Sequence, residues 1–359
     1  MIETQEKVLL TGNVAAAEGA VRGGCRFYFG YPITPQNDIP EYMSARMPEV
    51  GGTFVQAESE LAAISLVHGA AAAGGRAMTS SSSPGISLKQ EGLSYLAGSE
   101  LPAFVLNVQR GGPGLGDVRC AQGDYFQATR GGGHGDYRLL VLAPYTVQET
   151  CDLACEAFDL AETWRCPVLM LTDQQLGQMM EPVVPPPMKD LPKVRDLPWA
   201  LSGAAGRARR IVRSFRGRPG ELEDHNKALR DKYLRMEEAL PRWAEERLDD
   251  AQVVLVAYGT SARIAREVVF EARQEGIRAG LVRPITLWPF PRAPLLGAAR
   301  RGARFLVVEM SWGQMVDDVK LALYGAPAPV DLEWRSGGGI PTVSEVLGRV
   351  RHLSDEVTK

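Results

Sequence analysis

Phe27-Tyr28-Phe29-Gly30-Tyr31-Pro32-Ile33-Thr34-Pro35-Gln36-Asn37 joins an aromatic, strand-like segment to a turn built around two prolines. Proline fixes its own φ and pushes the preceding residue toward extended geometry, so Tyr31 and Thr34 have few orientations open to them. A hydroxyl held rigidly at the end of a strand suits ligand recognition. The same residues also make a stiff strand-to-helix connection. The choice depends on what the rest of the chain brings to that turn.

Working outward from this stretch, short apolar runs alternate with alanine-rich helical segments over the first 182 residues. Val8 to Leu10, Arg26 to Phe29, Thr53 to Gln56, Ala77 to Ser80, Ala103 to Val108, Leu139 to Leu142 and Val168 to Thr172 read as strands. Val14 to Arg22, Glu58 to Ala73, Ser87 to Gly98 and Val147 to Trp164 read as helices. Apolar strands separated by helices predict an α/β fold with a buried parallel sheet. Residues 183–250 break the pattern: a proline-rich segment around Pro185-Pro186-Pro187 reads as a linker, and an arginine-rich stretch runs into a helix expected over Glu221 to Leu248. Residues 251–359 form a second, smaller α/β unit, with strands at Val253 to Tyr258, Ala279 to Val282 and Phe305 to Glu309 and a rigid turn at Arg283 to Phe290.

Composition narrows the function classes. With 45% apolar and 23% charged residues and a formal net charge of −3, the chain has the balance of a soluble globular protein. The charge gives no case for nucleic acid. The six arginines between Arg207 and Arg218 lack interleaved aromatic residues and read as a solvated or subunit-contacting excursion. There is no basic-then-apolar leader and no span-length apolar run, so a cytoplasmic location away from membranes is expected. The five cysteines form no CxxC pair; they read as reduced, buried small residues rather than ligands of a metal or an iron–sulfur cluster.

Three further stretches carry candidate chemistry. Glu58-Ser59-Glu60 opens a helix of small residues, where a carboxylate is either a favourable helix-terminus charge or, if buried, a group needing a ligand nitrogen. Gln109-Arg110-Gly111-Gly112-Pro113 follows a buried strand, where a planar guanidinium suits a carboxylate or phosphate, or serves a structural ion pair. Ser80 to Ser83 permits a close backbone approach or a plain turn, and Thr260 or Ser261 is expected to cap the helix after the first strand of the second unit. Gly131-Gly132-Gly133-His134-Gly135-Asp136 is either a mobile loop over a site or a flexible crossing, and His68 reads as a packing histidine. Walker A, HExxH, GxSxG and Gly-Asp-Gly…Asn patterns are all missing.

Taken together, Tyr31-Pro32-Ile33-Thr34-Pro35, Gln56 to Ala63, Glu100-Leu101-Pro102, Gln109 to Pro113, Leu142-Ala143-Pro144, Ala257 to Thr260 and Arg283 to Phe290 resemble the α subunit of the 2-oxoacid:ferredoxin oxidoreductases. Gly114-Leu115-Gly116, Gln122 to Thr129, Gly131 to Tyr137 and Gln178 to Pro182 add a likeness to the branched-chain, 2-oxoisovalerate (3-methyl-2-oxobutanoate) type. The resemblance implies a thiamine diphosphate pyrimidine-binding domain at residues 1–182 and a transketolase C-terminal-like domain at 251–359. It implies an oxidoreductase of anaerobic metabolism that converts a branched-chain 2-oxoacid and coenzyme A to acyl-CoA and CO₂.

Carried onto this sequence, Glu60 is the residue that bonds N1′ of the aminopyrimidine; its spacing to Val67-His68-Gly69-Ala70 favours it over Glu58. Pro32 also contacts the cofactor, and Thr34 and Arg110 bind the substrate carboxylate; no residue is assigned to a metal. The resemblance further implies a β subunit holding the diphosphate and Mg²⁺, a γ subunit, a small ferredoxin-like δ subunit, [4Fe-4S] clusters on those partners, and ferredoxin as acceptor. The same chemistry on 2-oxoglutarate or an aryl 2-oxoacid, or a non-catalytic scaffold role, are the alternatives.

Overall fold

A computed structural model describes residues 6–326 and 328–357. The first unit contains β1 (Val8–Thr11), α1 (Gly12–Arg22), β2 (Phe27–Gly30), α2 (Asp38–Glu49), β3 (Thr53–Gln56), α3 (Glu60–Ala72), β4 (Ala77–Ser81), α4 (Ser83–Gly98), β5 (Phe104–Gln109), α5 (Tyr125–Arg130), β6 (Leu140–Leu142), α6 (Val147–Trp164), β7 (Val168–Asp173), α7 (Gln174–Gln178) and β8 (Met180–Val183). The rest of the chain contributes α8 (Glu221–Ala239), β9 (Trp243–Glu246), β10 (Val253–Val256), α9 (Gly259–Gln274), β11 (Ala279–Pro284), β12 (Thr286–Trp288), α10 (Ala293–Arg300), β13 (Arg304–Glu309), α11 (Met315–Ala322), β14 (Val330–Trp334) and α12 (Val343–Val357).

The main sheet has seven strands in the order β12-β6-β7-β5-β4-β2-β3. All pairs in it are parallel except β12 with β6. Its central strands β4, β5 and β7 are buried along their whole length, which is why β5 and β7 open on apolar runs, Phe104 to Leu106 and Val168 to Leu171. A second sheet runs β14-β13-β10-β11-β9, parallel but for β9. One continuous apolar core spans both sheets, from Leu106 and Met170 to Val254 and Phe305.

Four expectations change. β1 is not part of the buried sheet: it pairs antiparallel with β8 in a separate, partly exposed ribbon. The helix expected through Leu248 ends at Ala239, because Pro241 pulls the chain out of helical geometry, and the residues beyond it form β9 against β11. The rigid turn at Arg283 to Phe290 contains β12, which the second unit lends to the first sheet, with Thr286 opposite Leu142. The proline-rich linker is strapped down: Lys189 N donates to Arg22 O at 2.8 Å, Trp199 Nε1 donates to Ala71 O at 3.3 Å, and the Arg165 guanidinium lies 4.1 Å over the Trp199 ring. α2 and α5 were not foreseen; Pro40 and Pro48 mask the first in sequence, and the second is only six residues long.

All five cysteines are buried and unpaired. Among the described residues no helix is long and apolar enough to cross a membrane.

Candidate active site

β3, β2, β4 and β5 are neighbours in one parallel run, so the turns that follow them emerge from the same sheet edge. Parallel α/β sheets place ligand sites at that edge. Here it gathers Thr34 after β2, Glu60 after β3, Ser81 to Ser83 after β4 and Arg110 after β5.

The turn at Thr34 is held from both sides. Arg110 Nη1 donates to Thr34 O at 2.9 Å, and Asn13 Nδ2 of α1 donates to Pro35 O at 3.0 Å and to Asp38 Oδ1 at 2.8 Å. Beneath it, Tyr28 OH and Ser80 Oγ are 2.7 Å apart, and Ser80 Oγ donates to Gln36 Oε1 at 2.5 Å. Gln36 has no exposed surface. The prolines therefore do not act alone; a buried hydrogen-bond chain fixes the turn, while Pro32 and Thr34 themselves face outward. The Arg110 backbone is tied to α4, with Arg110 N donating to Ser83 Oγ at 3.0 Å. Arg110 is only 6% exposed, and its Nε–H is buried with no partner among the described residues.

Glu60 is the first residue of α3, whose N-cap Ser59 accepts from Ala62 N at 3.2 Å. The side chain is 6% exposed, and among the described residues no group donates a hydrogen bond to its carboxylate. It packs against the start of α4: a Cβ added to Gly85 would lie 2.6 Å from Glu60 Oε1 and 2.1 Å from Ser81 Oγ, so only glycine admits both. Ser81 Oγ and Ser82 Oγ are also buried without partners. Glu60, Ser81, Ser83, Arg110 and Thr34 thus form one continuous line along the edge, in which several buried polar atoms lack the partners that buried groups need. Glu58, by contrast, precedes the helix.

Two residues of this region were not anticipated. Lys89 of α4 has no exposed surface and donates from Nζ to Glu60 O at 3.2 Å. Burial pushes its ammonium down to about 8, partly offset by the negative charge of Glu60. The helical series Ile86, Lys89, Leu93, Leu96 places it on the buried stripe, and that spacing was the available signal. Asp124, beyond the glycine loop, accepts from Asn107 Nδ2 at 2.8 Å, and burial raises its pKa against the lowering effect of Ser83 and Asn107.

Other candidates fall outside this line. Thr260 and Ser261 do not cap α9: Thr260 Oγ1 donates to Asp173 Oδ1 at 2.6 Å, and Ser261 Oγ donates to Gln122 Oε1 at 2.9 Å. The glycine run before Asp136 is tethered to α4, with Gly132 N bound to Gln90 Oε1 and His134 O accepting from Ser94 Oγ. His68 is half-buried, 3.5 Å from Ser99 Oγ, its pKa lowered by burial. A cavity of about 700 Å³ lies elsewhere, between α8 and Asp136 to Arg138.

Comparison with known proteins decides the family. Residues 18–246 match the family described as pyruvate flavodoxin/ferredoxin oxidoreductase, thiamine diphosphate-binding, and residues 251–346 match pyruvate:ferredoxin oxidoreductase core domain II. The chain belongs to the 2-oxoacid:ferredoxin oxidoreductase family. Among curated members, it is 50% identical to the ketoisovalerate oxidoreductase subunit VorB of Methanothermobacter thermautotrophicus, covering 97% of this chain and 98% of that one. It is 38% identical to the 2-oxoglutarate synthase subunit KorA of the same organism, over 97% and 99% of the two chains. Among solved members, the 2-oxoglutarate:ferredoxin oxidoreductase of Magnetococcus marinus, with 2-oxoglutarate, coenzyme A and succinyl-CoA bound, superposes with a TM-score of 0.88 at 26% identity; the match covers 98% of this chain and 66% of that one. A split-gene transketolase, at 14% identity and a TM-score of 0.57, shares the fold.

Proposed function

We propose that this family member is the pyrimidine-binding subunit of a heteromeric enzyme that oxidises a branched-chain 2-oxoacid, 2-oxoisovalerate or a close analogue. With coenzyme A the products are an acyl-CoA, CO₂, a proton and two electrons, the electrons leaving one at a time through iron–sulfur clusters to ferredoxin. The observation that carries this reading is Glu60, a buried carboxylate that no described group hydrogen-bonds, on the same edge as the unpartnered Nε–H of Arg110. The 50% identity to ketoisovalerate oxidoreductase subunits, against 38% to 2-oxoglutarate synthase subunits, supports the branched-chain substrate.

The residues present fit thiamine diphosphate. A lone acceptor packed against Gly85, where a side chain would displace it, suits the protonated ring nitrogen of an aminopyrimidine. When bound, the cofactor supplies the carbon nucleophile and the electron sink that no side chain provides. Glu60 holds the proton at N1′, and Pro32 packs against the cofactor. Arg110 and Thr34 bind the substrate carboxylate, an arginine contact contributing roughly 1.5–3 kcal/mol. Too firm a grip would oppose loss of that carboxylate, so an arginine already shared with two backbone carbonyls is a suitable compromise.

Residues 1–182 act as the pyrimidine-binding unit and 251–359 as the transketolase C-terminal-like unit, and the 183–250 segment straps them together. The diphosphate and Mg²⁺ belong to a β subunit, the clusters to further subunits, and the assembly works in the cytoplasm. The exposed placement of Pro32 and Thr34 supports a site that another chain completes. The test is kcat/KM of the purified complex for 2-oxoisovalerate, 2-oxoglutarate, pyruvate and phenylglyoxylate with ferredoxin as acceptor. Preference for 2-oxoisovalerate is expected; preference for 2-oxoglutarate would replace the substrate, and absence of turnover with all four would remove the enzymatic reading.

A further inference from the structure

Arg110 joins two loops. Nη1 donates to the Thr34 carbonyl at 2.9 Å and Nη2 to the Leu115 carbonyl at 3.1 Å, so one guanidinium sets the distance between the two. The Leu115 loop is built to hold one shape. Asp117 N donates to Gly111 O at 2.8 Å, Gly111 N donates to Arg119 O at 3.0 Å, and Arg119 pairs with Asp117. Gly116 has φ +60°, and a Cβ there would lie 1.7 Å from Gly111 O, so the loop closes only with glycine at that position.

The tip of this fixed loop carries Leu115, 82% exposed. A leucine held out into water by a purpose-shaped loop gains nothing for folding. On the facing loop Tyr31 is the other exposed large apolar side chain, 36% exposed. Two apolar groups therefore flank the place where Thr34 and Arg110 would take a carboxylate. In a 2-oxoacid the branch point lies only two bonds from the carboxyl carbon, so a carboxylate anchored at Arg110 brings the branched end alongside Leu115.

We propose that Leu115, seated by Arg110, is the specificity-determining wall that accepts a branched, uncharged 2-oxoacid side chain and disfavours a second carboxylate. This rests on the carboxylate-binding role given to Thr34 and Arg110 under Proposed function. An apolar contact of one or two methyl groups is worth about 10–200-fold in discrimination.

The test uses the assembled complex carrying Leu115→Ala, Leu115→Lys or Leu115→Met. Leu115→Ala is expected to raise KM for 2-oxoisovalerate about 10-fold or more, while pyruvate, which has no branch to lose, changes less than about 2-fold. Leu115→Lys is expected to move the kcat/KM ratio of 2-oxoisovalerate to 2-oxoglutarate by about 100-fold or more toward the dicarboxylate, and Leu115→Met, similar in volume, to keep the native ratio. Equal fractional losses for every substrate would overturn the proposal. So would loss of assembly in all three variants, because Leu115 would then be a subunit contact. If the unsubstituted complex turns over no 2-oxoacid, the functional reading itself fails; if it does and the ratios ignore residue 115, only the wall fails.

Discussion

The turn after β2 to β5 and the turn after β10 are built from the same parts, yet they do opposite things. Each is a polar, hydroxyl-bearing segment between the end of a parallel strand and a helix. After β10 every group is consumed. Asp173 accepts from Thr260 N at 3.0 Å, from Thr260 Oγ1 at 2.6 Å and from Leu176 N at 3.0 Å. Gln122 bridges Tyr258 O, Ser261 Oγ and Met310 N. That edge has become a latch between the two sheets. At the edge of the seven-stranded sheet, Ser81 Oγ, Ser82 Oγ and Arg110 Nε are buried and, among the described residues, left without partners, and no described group hydrogen-bonds the carboxylate of the 6% exposed Glu60. Strand-end position alone does not make a site; what distinguishes the two is whether the protein itself satisfies the polar groups there.

Substitutions on either side sharpen this contrast. The largest effect is expected from Glu60→Gln, which keeps the shape but cannot hold the proton. Turnover should fall roughly 10²–10⁴-fold while the complex still assembles, because no described group hydrogen-bonds the carboxylate. Asp173→Ala reverses the pattern. It strands the amide and hydroxyl of Thr260 and should cost about 3 kcal/mol, read as a lower denaturation midpoint, with KM for substrate little changed in the folded fraction.

Arg110→Gln stands between the two. It removes the carboxylate contact and releases the Thr34 and Leu115 carbonyls, so kcat/KM should drop about 10–150-fold, mostly through KM. If it unfolded the chain instead, the open edge would be structural like the latched one.

The smallest effect tests Lys89. Its folded-state value is depressed to about 8 from an ordinary 10.5, by burial first, with Glu60 the one charge identified as opposing it. Between those values the unfolded chain holds a proton that the folded chain has lost. Stability should therefore rise with pH across about 8 to 10.5, by roughly 3 kcal/mol. Lys89→Met should abolish that rise and be relatively most stabilising at and below pH 8; parallel pH–stability curves for the two proteins would contradict it.

Much of this was legible in the sequence, for identifiable reasons. Apolar runs such as Phe104 to Leu106 and Val168 to Leu171 are buried on both faces, and a fully buried parallel strand leaves that mark. Thr34, Glu60 and Arg110 each sit where a strand pattern gives way to a turn, so position and residue type nominated them as candidates, while the choice of Glu60 over Glu58 and the roles of all three came from the family resemblance. What escaped were groups defined by distant partners. Gln36 looks like any turn residue until Ser80 meets it, 44 positions away. Thr260 looks like a helix cap because Asp173 is 87 positions distant. β12 was hidden because its partner strand belongs to the other unit, and no local pattern announces a strand lent across domains.

The central claim is that the open edge holds the pyrimidine of thiamine diphosphate through Glu60. It is tested most directly by the exchange rate of the cofactor's C2 proton in the assembled complex, followed by deuterium quench and proton NMR, in unsubstituted enzyme and Glu60→Gln. The expectation is exchange slowed by about 100-fold or more with the cofactor still bound. An unchanged exchange rate in Glu60→Gln would contradict it.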